Sequence, residues 1–334
     1  MTLPRSQLIC PTSTPYYHCI GRCVRRAFLC GEDAVTGKDY SHRKGWILAR
    51  LALLAEVFTI ELFSYAVMSN HYHLVVNINQ NKALSLTQHE AISRWSRLFR
   101  VPAIIERWQQ GNAQEGETEV AEKLVALWRQ RLADVSWYMR CLNEYIAREA
   151  NLEDGCKGRF WEGRFKSQAI LDDPGLMVCM VYVDLNPLRA GLVSTPEESA
   201  DVSIHQRLEE NKRLAETNGL AVQPEANHPW LLPFATATAQ SEPMCLPCTL
   251  NDYLQLLDWT GRARREDKRG AIAADIPPIM SRLGIDSRSF LSQLAIKQLS
   301  RGTVIGLVTG ATEHAKLTNR QNVRGSLLRP ITLQ

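Results

Sequence analysis

Eighteen uncharged apolar residues in a row occur nowhere in this sequence of 334 residues, and a membrane-spanning helix needs about twenty. The best apolar run, residues 47–55, is interrupted by Arg50. A membrane span is therefore excluded. The opening residues Met-Thr-Leu-Pro-Arg-Ser-Gln have no apolar stretch of the secretory type, which predicts a cytoplasmic protein. No internal repeat is visible, so a solenoid or propeller is excluded. Charge of one sign is barely in excess, with 39 Lys and Arg against 35 Asp and Glu and a net charge of +4. Contact with a polyanion must then rest on local clusters rather than on the whole surface. Cysteine is present nine times, an odd count scattered from Cys10 to Cys248. That pattern is no disulfide framework, and reduced thiols are expected.

What is there supports a packed core. Hydrophobic residues make up 45% of the chain and charged residues 22%, which excludes wholesale disorder. The length points to about two domains. Residues 16–30 read as a strand followed by a basic turn or a second short strand, and residues 46–56 place apolar side chains at helical spacing. Residues 59–78 are rich in β-branched and aromatic side chains and break at Met68-Ser69-Asn70, which predicts two adjacent strands. Helices are expected over 83–108, 121–151 and 174–184, with a polar surface loop at 110–120 and a Gly-, Arg- and aromatic-rich loop at 152–168. Residues 219–247 read as linker, and helical patterning returns at 250–259 and 287–299. The expected architecture is α+β, with one domain over 1–193 and a linker plus accessory helical region over 194–334.

The sharpest chemical feature is His71-Tyr72-His73 in a strand-like run. Alternate side chains of a strand share a face, so His71 and His73 point one way and Tyr72 the other. Two imidazoles so placed can converge on a divalent cation through neutral ring nitrogens. The plain alternative is one exposed histidine and one hydrogen-bonded within the sheet. Around this triplet the sequence resembles the IS200-like transposase superfamily, in its REP-associated tyrosine transposase branch. Three blocks carry the resemblance: Ala66-Val67-Met68-Ser69-Asn70-His71-Tyr72-His73-Leu74-Val75-Val76, then Gly158-Arg159-Phe160-Trp161-Glu162-Gly163-Arg164-Phe165-Lys166-Ser167, then Tyr182-Val183-Asp184-Leu185-Asn186-Pro187-Leu188-Arg189-Ala190. It covers residues 14–193, and nothing transfers to the remainder.

The resemblance implies a ferredoxin-like antiparallel sheet with packed helices, extended here by a mainly helical C-terminal part. It implies that His71 and His73 bind Mg²⁺ or Mn²⁺, and that a helix-borne tyrosine attacks a phosphodiester of single-stranded or hairpin DNA. The products are a 5′-phosphotyrosine link and a free 3′-hydroxyl. Because the covalent link retains the bond energy, no nucleotide cofactor is needed. On this resemblance the nucleophile lies on the helix before the Gly-x-x-Trp-x-Gly-Arg block, which points to Tyr145, with Glu149 one turn on as third ligand and Asn151 as its rival. Alignment on Trp161 and Asn151 puts Ile146 in the tyrosine slot, a rotation of about 100° on a helix, so Tyr138 stands as second candidate. The branch resembles monomeric members of a family that also contains dimers. A cytoplasmic, nucleoid-associated location would follow.

The run Lys157, Arg159, Phe160, Trp161, Arg164, Phe165, Lys166 interleaves cations with aromatics, which suits phosphates and unpaired bases. An anchored loop with solvated charges is the plain alternative. Arg22, Arg25 and Arg26 form a second phosphate-binding cluster, while Arg94, Arg97 and Arg100 line a helical face that solvation alone explains. Asn186-Pro187 is either a helix stop or part of the DNA surface. Asp184 reads as a helix-terminal carboxylate without catalytic duty, and His18 as a sheet histidine unless its strand adjoins that of His71. Cys245-Leu246-Pro247-Cys248 lacks the further ligands that structural zinc requires. Residues 261–269 add a basic stretch. The competing functions are a DNA-binding protein without cleavage chemistry and an RNA-binding module.

Overall fold

The structure, a computed structural model, describes residues 3–24, 28–33, 36–193, 196–217, 230–235, 245–262, 302–320 and 323–328. The N-terminal part runs β1 (Tyr16–Arg22), α1 (Arg43–Val57), β2 (Ile60–Val67), β3 (His71–Ile78), four helices α2 (Gln80–Ser85), α3 (Gln88–Ser96), α4 (Ala103–Gln109) and α5 (Glu117–Leu132), then α6 (Val135–Glu153) and β4 (Lys166–Ile170). These four strands stand in the order β2-β3-β1-β4 and pair antiparallel. With α1 and α6 as the two crossover helices, this is the expected α+β, ferredoxin-like arrangement. The expected single helix over 83–108 is three helices. Thr87 starts the second with a capping box closed by Glu90, and Pro102 stands at the N-cap of the third. Helices α2 to α5 are thus an insertion between β3 and α6.

The two faces of the sheet follow from strand alternation. Tyr72, Leu74, Val76 and Ile78 of β3 join Tyr17 and Cys19 of β1 in one core, with Tyr138, Leu142, Ile146 and Ala150 on the inward stripe of α6. The opposite face is covered by α7 (Asp173–Asp184), which continues through Leu185 into α8 (Asn186–Arg189). Ten of the twelve residues of α7 are buried. A helix apolar all round must be covered on both sides, and its outer cover comes from the C-terminal part: α9 (Ser203–Thr217) and α10 (Leu250–Arg262). Asp172 caps α7 by accepting from the Gly175 N–H at 2.7 Å.

Among its described residues the C-terminal part is mainly helical, as expected, and it adds two strands that the sequence pattern did not show. Besides α9, α10 and α11 (Val308–Leu317), it supplies β5 (Val304–Leu307) and β6 (Gly325–Leu328), which pair parallel and extend the sheet beyond β4. Four-residue strands carrying glycine are too short to register as alternation, so the sequence pattern hid them. The expected helix at 287–299 and most of the expected linker at 219–247 lie outside the described residues. Close backbone approach also fixes one glycine. Gly21 faces Tyr72 across β1 and β3, and a Cβ there would lie 2.5 Å from the phenol ring.

One buried cation ties α1 to the end of α6. The Arg43 guanidinium, 0% exposed, donates to Glu153 at 2.6 Å, Asp154 at 2.5 Å and the Phe28 carbonyl at 2.8 Å. Removing such a side chain strands its partners. Arg43→Ala is expected to cost about 3 kcal/mol in a denaturant titration.

Candidate functional site

His71 and His73 stand on the face of β3 that α7 covers, with ring centroids 5.0 Å apart and planes at 79°. His18 of β1 joins them, because β1 adjoins β3. It pairs directly with Val75, which puts His73 at the diagonal position on the same face. The imidazoles of His18 and His73 lie nearly parallel, their planes 15° apart and their centroids 5.1 Å apart, with Nε2 of the first 2.9 Å from Nδ1 of the second. Arg22 sits directly opposite His71. From α7, Tyr182 sets its ring 5.7 Å from that of His73 and 6.2 Å from that of His18, edge-on to both. Arg22, His71, His73, Glu162, Arg164, Lys166 and Tyr182 wall a cleft of about 510 Å³. Three cations against one carboxylate make it attractive to a phosphate.

Hydrogen bonds define the state of the rings. His71 Nδ1 lies 2.7 Å from Asn70 Oδ1, an acceptor, so Nδ1 carries the proton and Nε2 keeps its lone pair. Asn186 Nδ2 approaches His73 Nε2 at 3.3 Å, which again marks Nε2 as the acceptor. Burial, with Arg22 beside it, pushes the His71 imidazole down to about 4. Burial does the same for His18, to about 4, and holds His73 well below the usual histidine value, with His18 and His71 adding to it. All three rings are therefore neutral at neutral pH, the form that ligates a metal. Burial raises the Tyr182 phenol above 10, while the Arg189 guanidinium, 5.1 Å over its ring, and a hydrogen bond to Asn186 act in the opposite direction.

Two imidazole nitrogens on one wall, that of His73 meeting the Asn186 N–H, are donors of the kind that suits a divalent cation such as Mn²⁺. Among the described residues no group of three His, Cys, Asp or Glu side chains is assembled for a metal. Tyr145 and Glu149, expected as nucleophile and third ligand, are not brought to this cleft. Both belong to α6, which packs on the Tyr72 face, so the sheet stands between them and the imidazoles. Tyr145 is turned toward α1, with the Arg50 guanidinium 4.8 Å over its ring. Tyr138 is buried edge-on against Phe58 in that same core. Asn151 donates to the Gly158 carbonyl at 3.0 Å.

Of the expected DNA contacts, Arg22, Arg164 and Lys166 line the cleft, and Lys157 and Arg159 are exposed on the preceding loop. Trp161 is an anchor, donating from Nε1 to the Asn143 carbonyl at 2.8 Å and standing edge-on to Tyr72 on the far side of the sheet. Arg25 and Arg26 lie outside the described residues. Arg94 and Arg97 are engaged with Glu56 of α1, by its carbonyl and its carboxylate. Asp184 ends α7, as expected of a helix-terminal carboxylate, and its bonds are structural. It is buried and accepts from Ser203 Oγ at 2.6 Å, Tyr253 Oη at 2.5 Å and the Ile204 N–H at 3.2 Å. Cys248 is buried with its sulfur 3.8 Å from that of Met177. The sequence reading missed Tyr182 as a site residue and left Asn186 between a helix stop and part of the DNA surface. Their signal was a pair of polar side chains four apart, a spacing that sets them on one side of the α7–α8 junction.

No helix among the described residues is long and apolar enough to cross a membrane. No family model matches the sequence, and no curated protein does. The fold is similar to a solved structure described as a REP-associated tyrosine transposase bound to a REP hairpin, with 13% sequence identity, a TM-score of 0.37, and coverage of 63% of this chain and 87% of that one.

Proposed function

We propose that this chain is a transposase-type DNA nickase and strand transferase acting on single-stranded or hairpin DNA, with Tyr182 as nucleophile. The observation that carries this reading is the convergence of a phenol, two neutral imidazoles and three cations on one cleft. In the step proposed, Tyr182 Oη attacks the phosphorus, the bond to the 3′ oxygen breaks, and the phenol proton ends on that departing oxygen. The products are a 5′-phosphotyrosine and a free 3′-hydroxyl. Attack by the 3′-hydroxyl of another strand reverses the chemistry and joins the ends. His71 and His73 would hold Mn²⁺ or Mg²⁺, the His73 Nε2 exchanging the Asn186 N–H for the cation. Imidazole nitrogen favours the softer Mn²⁺. When bound, the cation withdraws electron density from the scissile phosphate and offsets the charge that grows on it. Arg22, Arg164 and Lys166 orient the backbone on either side, and Arg189 over the Tyr182 ring favours the anionic phenol.

The test is direct. Labelled hairpin DNA incubated with the protein and Mn²⁺, then denatured, should leave a covalent adduct whose phosphotyrosine maps to Tyr182. His71→Ala should lower adduct formation at least about 100-fold and leave DNA affinity within about twofold, because affinity is carried by phosphate contacts. Retained binding with no adduct in the wild-type protein would instead favour a DNA-binding protein without cleavage chemistry.

A further inference from the structure

A line of hydrogen bonds runs from the segment before β5 across three neighbouring strands, β4, β1 and β3, and ends at the cleft. Gln168 on β4 donates from Nε2 to the Gly302 carbonyl, two residues before β5, at 3.3 Å. That bond fixes which way the carboxamide faces, since only its NH₂ can meet a carbonyl. Its Oε1 is thereby turned to His18 Nδ1, 2.8 Å away. An oxygen acceptor there puts the His18 proton on Nδ1 and leaves Nε2 as an acceptor. His18 Nε2 is 2.9 Å from His73 Nδ1, so His73 carries its own proton on Nδ1. The His73 Nε2 lone pair is left toward the cleft, where Asn186 meets it.

We infer that His18 and Gln168 are positioning residues that lock His73 in the tautomer a metal requires, and that the C-terminal segment completes the site through the Gly302 carbonyl. Register makes the line possible. His18 and Gln168 are direct cross-strand partners, and Ala169 pairs with Val304. His18 and Gln168 are 0% and 1% exposed, so water does not compete for their bonds. Without the segment before β5, the Gln168 amide could turn over, present NH₂ to His18, and reverse both rings in turn. Ligating histidines owe ring orientation and basicity to the partner of their second nitrogen. The inference rests on the proposed function for the identity of the ligand, but the tautomer itself can be read without metal.

The experiment uses full-length protein with ¹⁵N-labelled histidine. Long-range proton–nitrogen spectra of the metal-free protein distinguish Nδ1–H from Nε2–H rings, and the same samples are titrated with MnCl₂ by electron paramagnetic resonance. Wild type should show His73 protonated on Nδ1. Gln168→Leu should give a mixture of tautomers at His18 and His73 and weaken Mn²⁺ binding 10- to 100-fold. Gln168→Glu, which keeps an acceptor for His18, should restore the Nδ1–H form at both rings. Wild-type His73 protonated on Nε2 would overturn the inference even if Gln168→Leu fails to fold. So would a Gln168→Leu protein with unchanged tautomers and affinity. Wild type with the expected tautomers that binds no Mn²⁺ would leave the relay standing and overturn the cation in the proposed function.

Discussion

Under the proposed function, Tyr182→Phe is expected to form no covalent DNA adduct, with strand cleavage down by about 10³-fold or more, while Tyr145→Phe stays within about twofold of wild type. The first substitution deletes one oxygen and its hydrogen bond to Asn186. The phenyl ring keeps its edge contacts with His18 and His73 and remains under the Arg189 guanidinium, so folding and Mn²⁺ affinity should hardly change. Removing a group that forms a covalent intermediate has large consequences because nothing nearby replaces its bond to the substrate. Tyr145 lies across the sheet in the α1–α6 layer, and its hydroxyl has no route to a phosphate held by the histidines. Single-turnover cleavage of labelled hairpin DNA, resolved on denaturing gels, measures both. Loss of the adduct in Tyr145→Phe with its survival in Tyr182→Phe would sink the assignment.

Asp184→Ala is expected to cost about 4 kcal/mol of stability, the largest single loss anticipated from a residue outside the cleft. Asp184 receives bonds from Ser203, Ile204 and Tyr253. It also opposes the charge of Arg207, which is buried and donates to the Leu232 and Phe63 carbonyls. Alanine would leave buried donors and a buried guanidinium without their counter-charge. Asp184→Asn keeps an acceptor and should cost roughly half as much. Because Asp184 is two residues from Tyr182 on α7, the alanine variant should also lower adduct formation, whereas Arg43→Ala, across the sheet, should not at permissive temperature. Denaturant titrations with a constant slope, run beside cleavage assays, test the pairing. An alanine variant as stable as wild type would contradict the reading of Asp184 as the clasp of the C-terminal helices.

Much of this fold was legible because its strongest elements are local. The β-branched run over 59–78 and its break at Met68-Ser69-Asn70 became β2 and β3, and alternation alone put His71 and His73 on one face. What alternation does not carry is which helix covers which face. Tyr145 and Tyr182 both sit on helices near matching motifs, and only the sheet order assigns α6 to the Tyr72 side and α7 to the histidine side. His18 was open between two readings for the same reason, since its meaning depends on β1 lying beside β3. Trp161 looked like a stacking platform because its neighbours are cationic, yet its indole N–H is spent on the Asn143 carbonyl. Gln168 gave no sign at all. A lone buried amide acquires meaning only through partners at positions 18 and 302.

The pairing of Ala169 with Val304 has a consequence for biosynthesis. Most of the sheet can assemble as soon as β4 emerges from the ribosome, but the outer edge of β4 stays bare until well over a hundred further residues have been translated. A bare edge strand invites the nearest extended chain, and such long-range closure is slow. Until then the β4 edge is open to pairing with another chain. Product cut short at residue 193 should accumulate in inclusion bodies.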